Sequence, residues 1–367
     1  MKTGLALAGG GSRGSYQIGV WRALKKLGIS PDVITGTSVG ALNGALMVQD
    51  SYDTAVELWE NLNTTSVFDF PKEPNFLEYA KAFLKDGGAC RRGLETLIKT
   101  HLNEEKIRAS RISLGMVLAR RDDLSSHQVF TEDVPKGMLS DYLMATTACF
   151  PAAKCHTISG VQYMDGGYCD NLPVGLAKSK GVTQVIAVSL DQHNPKRPPF
   201  AKDSSVIAVC PKWDLGNWLV FHKENTGRNI RLGYLDTLKA FGIYEGDAFT
   251  FQNNTFEELL KRRQIALSHW HRFLKANALL PSGSAIEILK EAAEITGKLL
   301  KLSPFCVYTA DSFLKAMKRK QSCPKSLKSP SPFVLAKLFL EKPCRVLEFQ
   351  AKYPKETAAG IFLSVFQ

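Results

Sequence analysis

Short, continuous apolar runs alternate with amphipathic stretches through the N-terminal two thirds of the chain. Runs rich in β-branched residues predict buried strands, and apolar residues that recur every three to four positions predict helices. The predicted strands are 5–8, 33–34, 112–119, 128–130, 161–164, 185–190 and 206–209, and the predicted helices are 16–27, 41–48, 54–62, 76–84 and 93–101. Strands that alternate with helices indicate an α/β fold with a mainly parallel sheet, covered by helices on both faces.

The pattern changes after about residue 245. Amphipathic periodicity beyond this point predicts helices at 256–280, 285–302, 311–320 and 333–340. A Ser-, Pro- and Lys-rich stretch at 322–332 is typical of a linker. We therefore expect two domains, an α/β domain over residues 1–245 and a helical C-terminal extension over residues 246–367.

Candidate chemistry begins at Ser38, which lies between Gly36 and Gly40, directly after one predicted strand and directly before a predicted helix. A strand, a sharp turn and a helix form the context of a nucleophile elbow, and flanking glycines allow the tight turn. The N-terminal N–H groups of the following helix favour negative charge beside the serine. The same residues also fit an ordinary strand-to-helix turn in which the serine caps the helix.

A glycine-rich loop, Gly9-Gly10-Gly11-Ser12-Arg13-Gly14, follows the first predicted strand. Consecutive glycines let backbone N–H groups converge on one point, and such a nest binds an oxyanion or a phosphate. The same spacing fits a dinucleotide-binding loop, which requires an acidic residue at the end of the second strand. Asp32 precedes that strand instead. The sequence therefore favours an oxyanion-binding loop.

A carboxylate next to flexible backbone comes much later, in the motif Asp165-Gly166-Gly167. This motif directly follows the predicted strand 161–164, and an acidic residue there can act as a base toward Ser38. Sites in parallel sheets form at the carboxyl ends of strands. We therefore expect Gly9, Ser38 and Asp165 to share one edge of the sheet.

Together these three motifs resemble the patatin-like phospholipase family, and the resemblance covers roughly residues 3–245. The segments 145–151, 165–173 and 229–237 are also similar to the family's sequences. The resemblance implies a Ser–Asp dyad without histidine, in which Ser38 is the nucleophile and Asp165 is the general base.

The resemblance also implies an oxyanion hole and a substrate class. The implied oxyanion-hole residues are Gly9, Gly10, Gly11 and Arg13, and the implied elbow and motif glycines are Gly14, Gly36, Gly40, Gly166 and Gly167. The implied reaction is hydrolysis of lipid acyl esters, of phospholipase A or lysophospholipase type, through an acyl-serine intermediate and without a metal or organic cofactor. The aromatic segments 67–71 and 213–221 fit either the wall of an acyl groove or ordinary core packing.

Two other functions stay open at this point. A conventional Ser-Asp-His esterase is possible in chain order, because His269 and His271 follow Asp165. These histidines fall in a predicted helix and point to roughly opposite sides of it, which disfavours both a triad and a metal pair. The third interpretation is a protein that binds lipid or a partner and leaves its hydrolase site unused. The intact motifs argue against it.

Composition limits the remaining classes. The eight cysteines include no Cys-x-x-Cys pair, so we expect neither a zinc site nor a disulfide framework. We see no secretory signal and no apolar stretch long enough for a membrane span, and we therefore expect a cytoplasmic protein.

The positive charge lies mostly in the C-terminal part of the chain. The net charge is +12, and residues 201–367 hold 25 of the 47 Lys and Arg but only 15 of the 35 Asp and Glu. Basic runs occur at 261–263 and 318–320. This distribution predicts peripheral contact with anionic membranes, driven partly by the C-terminal extension, and we expect no nucleic acid partner.

Overall fold

A computed structural model describes residues 2–70, 74–192, 203–263, 268, 271, 283–321, 331–341, 349–350 and 352–366. The chain divides into two compact units, residues 1–240 and 241–367. The first unit carries all three motifs that the sequence singled out.

The first unit is built on one sheet of eight strands. These are β1 (Thr3–Leu7), β2 (Val33–Thr37), β3 (Ser113–Arg120), β4 (Ser126–Phe130), β5 (His156–Ile158), β6 (Val161–Asp165), β7 (Gln184–Val188) and β8 (Val206–Val209). The spatial order is β5-β6-β3-β2-β1-β7-β8, with β4 paired to β3. The five strands from β3 to β8 in this order are mutually parallel, and β4, β5 and β6 add antiparallel pairs.

In the described residues of this unit, ten α-helices accompany the sheet. They are α1 (Ser15–Lys26), α2 (Val39–Val48), α3 (Tyr52–Asn61), α4 (Thr64–Val67), α5 (Phe76–Asp86), α6 (Arg92–His101), α7 (Glu104–Arg108), α8 (Leu139–Thr146), α9 (Val174–Ser179) and α10 (Lys223–Ala240). The parallel strands β1, β2, β3 and β7 are almost wholly buried, which explains their continuous apolar sequences, whereas β8 at the sheet edge is mostly half-buried. The structure confirms the predicted α/β class.

The register around β3 explains how the ends of two strands meet. β2 pairs in parallel with residues 113–117 of β3, and β6 pairs in the antiparallel direction with residues 118–120. Since β4 pairs with residues 115–119 along the other side of β3, β2 and β6 share one side. β6 therefore continues the line of β2 and runs toward it, so the carboxyl ends of these two strands meet.

This register corrects one step of the sequence argument. We expected Asp165 at the site edge because the carboxyl ends of parallel strands lie there, but β6 runs antiparallel to β3. Asp165 reaches the end of β2 because β6 starts beyond the edge of the parallel sheet and runs back toward it. The alternation of apolar runs gives no strand direction, so the sequence could not distinguish these cases.

The second unit is mostly helical, as predicted for the C-terminal region. Its helices include α11 (Thr255–Arg262), α12 (Ala285–Leu299), α13 (Ala310–Gln321), α14 (Pro332–Glu341) and α15 (Pro354–Phe366). A small sheet of β9 (Tyr244–Glu245), β10 (Thr250–Gln252) and β11 (Val307–Tyr308) was not predicted, because strands of two or three residues carry too little pattern. Most of the expected linker 322–332 lies outside the described residues.

Candidate active site

Ser38 sits at a strained turn between β2 and α2. Its backbone has φ 55° and ψ −127°, a conformation that non-glycine residues rarely adopt. The Ser38 N–H donates to the Thr146 hydroxyl at 3.0 Å, and that hydroxyl donates to the Val117 carbonyl at 2.5 Å. The turn is therefore held from β3 and α8 as well as from its own strand and helix.

The flanking glycines are required by close backbone contacts. A Cβ atom at Gly36 would lie 2.4 Å from the Ala41 amide nitrogen, and one at Gly40 would lie 2.2 Å from the Leu7 carbonyl oxygen. Real Cβ contacts are essentially never this short. Gly36 is therefore required by the close approach of its own turn to α2, and Gly40 by the close packing of α2 against β1.

Asp165 lies beside Ser38 at the meeting point of β6 and β2. Its buried carboxylate accepts a hydrogen bond from the Ser38 hydroxyl and another from the Gly167 N–H, the latter at 2.8 Å. Burial raises the pKa of Asp165 to about 6, although both hydrogen bonds and the positive charge of Arg91 oppose that rise. At neutral pH Asp165 is mostly ionised and poised to accept a proton.

The glycine-rich loop passes directly beside the Ser38 side chain. A Cβ at Gly9 would lie 3.1 Å from the Ser38 Cβ, and Gly11 has φ +54° with the Trp218 carbonyl oxygen 2.1 Å from a Cβ built there. Among the described residues, none accepts a hydrogen bond from the Gly10 or Gly11 N–H groups. Two adjacent donors beside the serine are thus left open to a ligand.

The rest of the loop is anchored to a second segment, residues 216–218. Ser12 donates from its N–H to the Trp218 carbonyl at 2.9 Å and from its hydroxyl to the Asn217 carbonyl at 2.8 Å. Arg13 donates to the Gly216 carbonyl at 2.8 Å and forms an ion pair with Asp191 at 2.9 Å. In this structure the Arg13 side chain therefore fixes the loop.

Comparison with known proteins gives a family match within this unit. Residues 5–178 match the family model described as patatin-like phospholipase. The chain contains a patatin-like phospholipase domain.

Relatives share this domain over a small part of their own length. The chain is 29% identical to rat patatin-like phospholipase domain-containing protein 7 over 193 residues, which are 52% of this chain and 14% of that protein. It is 28% identical over 247 residues to the lysophospholipase NTE1 of Meyerozyma guilliermondii, covering 65% of this chain and 16% of the relative. Among solved structures, VipD from Legionella pneumophila aligns with a TM-score of 0.40 and 11% identity, covering 99% of this chain and 90% of VipD.

A cavity of ≈ 420 Å³ opens beside Ser38 and Asp165 of the patatin-like domain. At one end lie the glycine-rich loop, Ser38 and Asp165. Much of the rest of its wall is apolar and comes largely from α2, α3 and α6, with residues Leu42, Ala45, Leu46, Leu58, Trp59, Leu62, Leu94, Leu97, Ile98 and Leu102. Val67, Phe68, Trp218, Leu219 and Phe221 also line it. The aromatic segments of the sequence therefore contribute to this wall.

Sequence reasoning missed Arg91, a buried residue of the cavity wall. Its guanidinium donates to the Met144 carbonyl at 2.8 Å, the Thr147 hydroxyl at 2.6 Å and the Lys154 carbonyl at 3.2 Å. Burial lowers the pKa of Arg91, and among the described residues it forms no ion pair with a carboxylate. The Arg91 charge lowers the pKa of Asp165, and no described carboxylate forms an ion pair with Arg91 that would neutralise this charge. Nothing in the local sequence distinguishes it from the exposed Arg92.

The described histidines do not complete a triad. His156 contacts Asp141 at 3.1 Å, and no described histidine hydrogen-bonds Ser38 or Asp165. His101 lines the cavity. His269 lies outside the described residues.

The described part of the chain contains neither a metal-binding group nor a membrane-spanning helix. It has no group of three or more His, Cys, Asp or Glu residues arranged to hold a metal ion. No helix there combines the length and hydropathy that a membrane span requires.

Proposed function

We propose that the patatin-like domain hydrolyses acyl esters of lipids through Ser38 and Asp165. The observation that carries this proposal is the direct hydrogen bond from the Ser38 hydroxyl to the buried Asp165 carboxylate. A nucleophile paired with its base, next to unoccupied N–H donors, is the arrangement that acyl transfer requires.

The chemistry follows from the positions of these groups. As the Ser38 oxygen attacks the ester carbonyl carbon, Asp165 accepts the hydroxyl proton, and the carbonyl oxygen becomes an oxyanion. The Gly10 and Gly11 N–H groups donate to that oxyanion, with Gly9 and Arg13 shaping the loop. Asp165 then returns its proton to the departing alkoxide as the ester bond breaks. This leaves an acyl group on Ser38.

The second half of the cycle uses the same residues. A water molecule attacks the acyl-Ser38 carbonyl carbon, and Asp165 accepts a proton from that water. The bond between the acyl carbon and the Ser38 oxygen then breaks. Ser38 recovers its proton from Asp165, and a fatty acid leaves. Asp165 returns each proton that it accepts, so these reaction steps need no metal and no organic cofactor.

The cavity supports a long acyl chain as the group that enters the site. Its wall beyond Ser38 is apolar over three helices, which suits a hydrocarbon chain held by burial. The relatives are named phospholipases and lysophospholipases. We therefore propose phospholipase A or lysophospholipase-type substrates, with peripheral access from a lipid surface.

Two alternatives make different demands on the same residues. A Ser-Asp-His triad places a histidine between nucleophile and acid, whereas Ser38 and Asp165 touch directly. A binding protein with an unused site has no need to hold Ser38 in a strained backbone conformation beside a base.

Labelling with a fluorophosphonate ester tests the proposal, because the probe reacts with activated serines. We expect one adduct on the wild-type chain, mapped by mass spectrometry to Ser38, and none on Ser38→Ala. Ser125→Ala is the matched control, since the Ser125 hydroxyl also hydrogen-bonds an aspartate, Asp123, but at an exposed turn. An unlabelled wild-type protein, or equal labelling of Ser38→Ala, would refute an activated Ser38.

A further inference from the structure

Helix α5 presents an unusual outward face. Leu77, Lys81, Leu84 and Lys85 are all exposed, and their spacing places them on one side of the helix. Leu77 is 58% exposed and Leu84 is 82% exposed, the highest values for large apolar side chains among the described residues. Two leucines this exposed on one helix face make it a candidate contact surface.

Another face of α5 packs against residues that line the cavity. The Tyr79 ring packs against Phe68 and Phe70 at centroid distances of 5.6 and 4.9 Å, and its hydroxyl donates to the Leu219 carbonyl at 3.4 Å. Phe68 and Leu219 line the cavity. The exposed leucines therefore stand on a helix that is packed directly behind the substrate cavity.

Two aromatic side chains mark where the cavity meets solvent. Tyr168 and Trp218 line the cavity, yet they are 49% and 39% exposed. Tyr and Trp are the residues that sit most favourably at a membrane–water interface, since one part of each ring system is apolar and the other is polar. The mouth of the cavity and the outer face of α5 thus share a chemical character.

We propose that the outer face of α5 docks the domain on an anionic lipid surface, with Leu77 and Leu84 entering the headgroup region and Lys81 and Lys85 contacting lipid phosphates. Within the described residues neither lysine forms an ion pair, so both charges are available to anions. An amphipathic helix with leucines inserted and lysines beside them is held by burial and by attraction to anionic headgroups together.

A lipid surface fits this face because of its charge and its neighbour. The two leucines are accompanied by two cations, which suits anionic headgroups, and the adjoining cavity takes lipid esters in the proposed function. The inference rests on that proposed function for its purpose, but the docking itself requires no catalysis. It also places lipid contact in the first unit, whereas the sequence alone predicted contact through the basic C-terminal extension.

Vesicle co-sedimentation of the full-length Ser38→Ala chain tests the proposal without substrate turnover. The vesicles are phosphatidylcholine alone, or phosphatidylcholine mixed with an equal amount of phosphatidylglycerol, each at low and at high salt. We expect the double variant Leu77→Ser/Leu84→Ser to lower the partition coefficient at least about tenfold on anionic vesicles. We expect Lys81→Gln/Lys85→Gln to lower it about fivefold per lysine at low salt and much less at high salt.

Two matched controls separate this surface from the rest of the chain. Ile243→Ser removes another large apolar side chain that is 42% exposed, and Lys318→Gln/Lys320→Gln removes two exposed lysines of the basic run in α13. Both controls should bind anionic vesicles like the parent. Unchanged binding of the two α5 variants, with lost binding in the α13 variant, would overturn the proposal, as would a parent chain that does not bind anionic vesicles.

Failure of the docking inference can be distinguished from failure of the proposed hydrolase function. If the fluorophosphonate probe labels Ser38 and the α5 variants still bind vesicles, the docking inference fails alone. If the α5 variants lose binding and Ser38 does not react with the probe, the docking inference stands and the catalytic proposal fails. Circular dichroism of each variant, with an unchanged thermal midpoint, confirms that lost binding does not reflect unfolding.

Discussion

The two walls of the cavity are built in different ways. The polar wall includes the glycine-rich loop, Ser38 and Asp165, and these parts are held by hydrogen bonds or by atoms too close to admit a Cβ. The apolar wall consists of leucine and aromatic side chains on α2, α3 and α6. The first wall depends on the identity of each residue, whereas the second depends on the total apolar volume.

This difference predicts how the walls respond to substitution. A change in the polar wall alters the geometry of the reacting atoms or forces the backbone to move, so its effects are large. A change in the apolar wall alters the space beside an acyl chain, where one methylene contributes about 1–3 kcal/mol to discrimination.

The largest effect is expected for Asp165→Asn, which keeps the size of the side chain but removes the base. We expect kcat for a p-nitrophenyl acyl ester to fall roughly a thousandfold or more, as for other residues that act as a unit with the nucleophile. Asp170→Asn is the control, because Asp170 lies five positions along in the same motif region and its carboxylate accepts from the Leu172 N–H instead. Activity of Asp165→Asn within tenfold of wild type would contradict the dyad.

Asp165→Asn should also change the stability of the folded protein, and the change should depend on pH. Because the folded-state pKa of Asp165 is raised to about 6 from 3.8, ionising this carboxyl in the folded protein opposes folding. That penalty is absent below about pH 4, grows between about pH 4 and 6, and is fully present above about pH 6. We expect Asp165→Asn to unfold at higher denaturant concentration than wild type at pH 8. An equal gain in stability of the variant at pH 4 would contradict a raised pKa of Asp165.

A stability loss is expected for Gly40→Ala, since the added Cβ would lie 2.2 Å from the Leu7 carbonyl oxygen in β1. We expect the free energy of unfolding to fall by about 3 kcal/mol or more. Gly175→Ala in α9 is the matched control, because no heavy atom lies within 4 Å of a Cβ built there. The control should be neutral or more stable by up to about 1 kcal/mol, since alanine favours helix. Equal effects at the two glycines would remove the steric argument.

The polar wall was largely predictable from the sequence, and the reason is its dependence on glycine. At Gly36, Gly40 and residues 9–11, a Cβ atom would collide with neighbouring atoms. Only glycine fits these positions, so the residue type itself reveals the constraint. The pairing of Ser38 with Asp165 is brought about by the register of β2 and β6 along β3. Local patterns carry no information on that register, and the parallel-edge argument reached the right place by a wrong strand direction.

The apolar wall was not predictable in the same way. Leu46, Leu58 and Leu97 lie at ordinary positions of amphipathic helices, and such leucines look the same whether they face a core or a cavity. The small sheet of β9–β11 was missed because its strands are only two or three residues long. Arg91 was missed because its environment comes from Met144, Thr147 and Lys154, which lie more than fifty positions away.

A change of selectivity is expected for Leu46→Trp in the apolar wall. The larger ring fills part of the cavity, so we expect kcat/KM for a long-chain ester to fall about tenfold relative to a short-chain ester. Leu46→Met, which nearly conserves volume, should leave the ratio within about twofold. Measuring kcat/KM for p-nitrophenyl esters of increasing chain length gives this ratio. An equal loss for short and long chains would mean that the acyl chain does not occupy this wall.

The smallest effect is expected for Arg91→Gln, because Arg91 acts on Asp165 through its charge and is not a reacting group. The Arg91 charge lowers the pKa of Asp165, so its removal should raise that pKa further above its ordinary range. In the proposed mechanism Asp165 must be ionised to accept the Ser38 proton, so we expect kcat/KM to rise with pH through the pKa of this carboxyl, which is about 6 in wild type.

We therefore expect the midpoint of this rise to move upward by roughly half a unit to one unit in Arg91→Gln. Activity near pH 6 should fall about two- to fivefold by this shift and recover at pH 8. Arg91→Lys retains the charge and should keep the wild-type midpoint. Arg92→Gln, at the exposed neighbour that pairs with Asp69, should change neither. A loss of equal size at every pH would show that Arg91 only supports the α8 region through its carbonyl hydrogen bonds, because a structural defect does not move a titration midpoint.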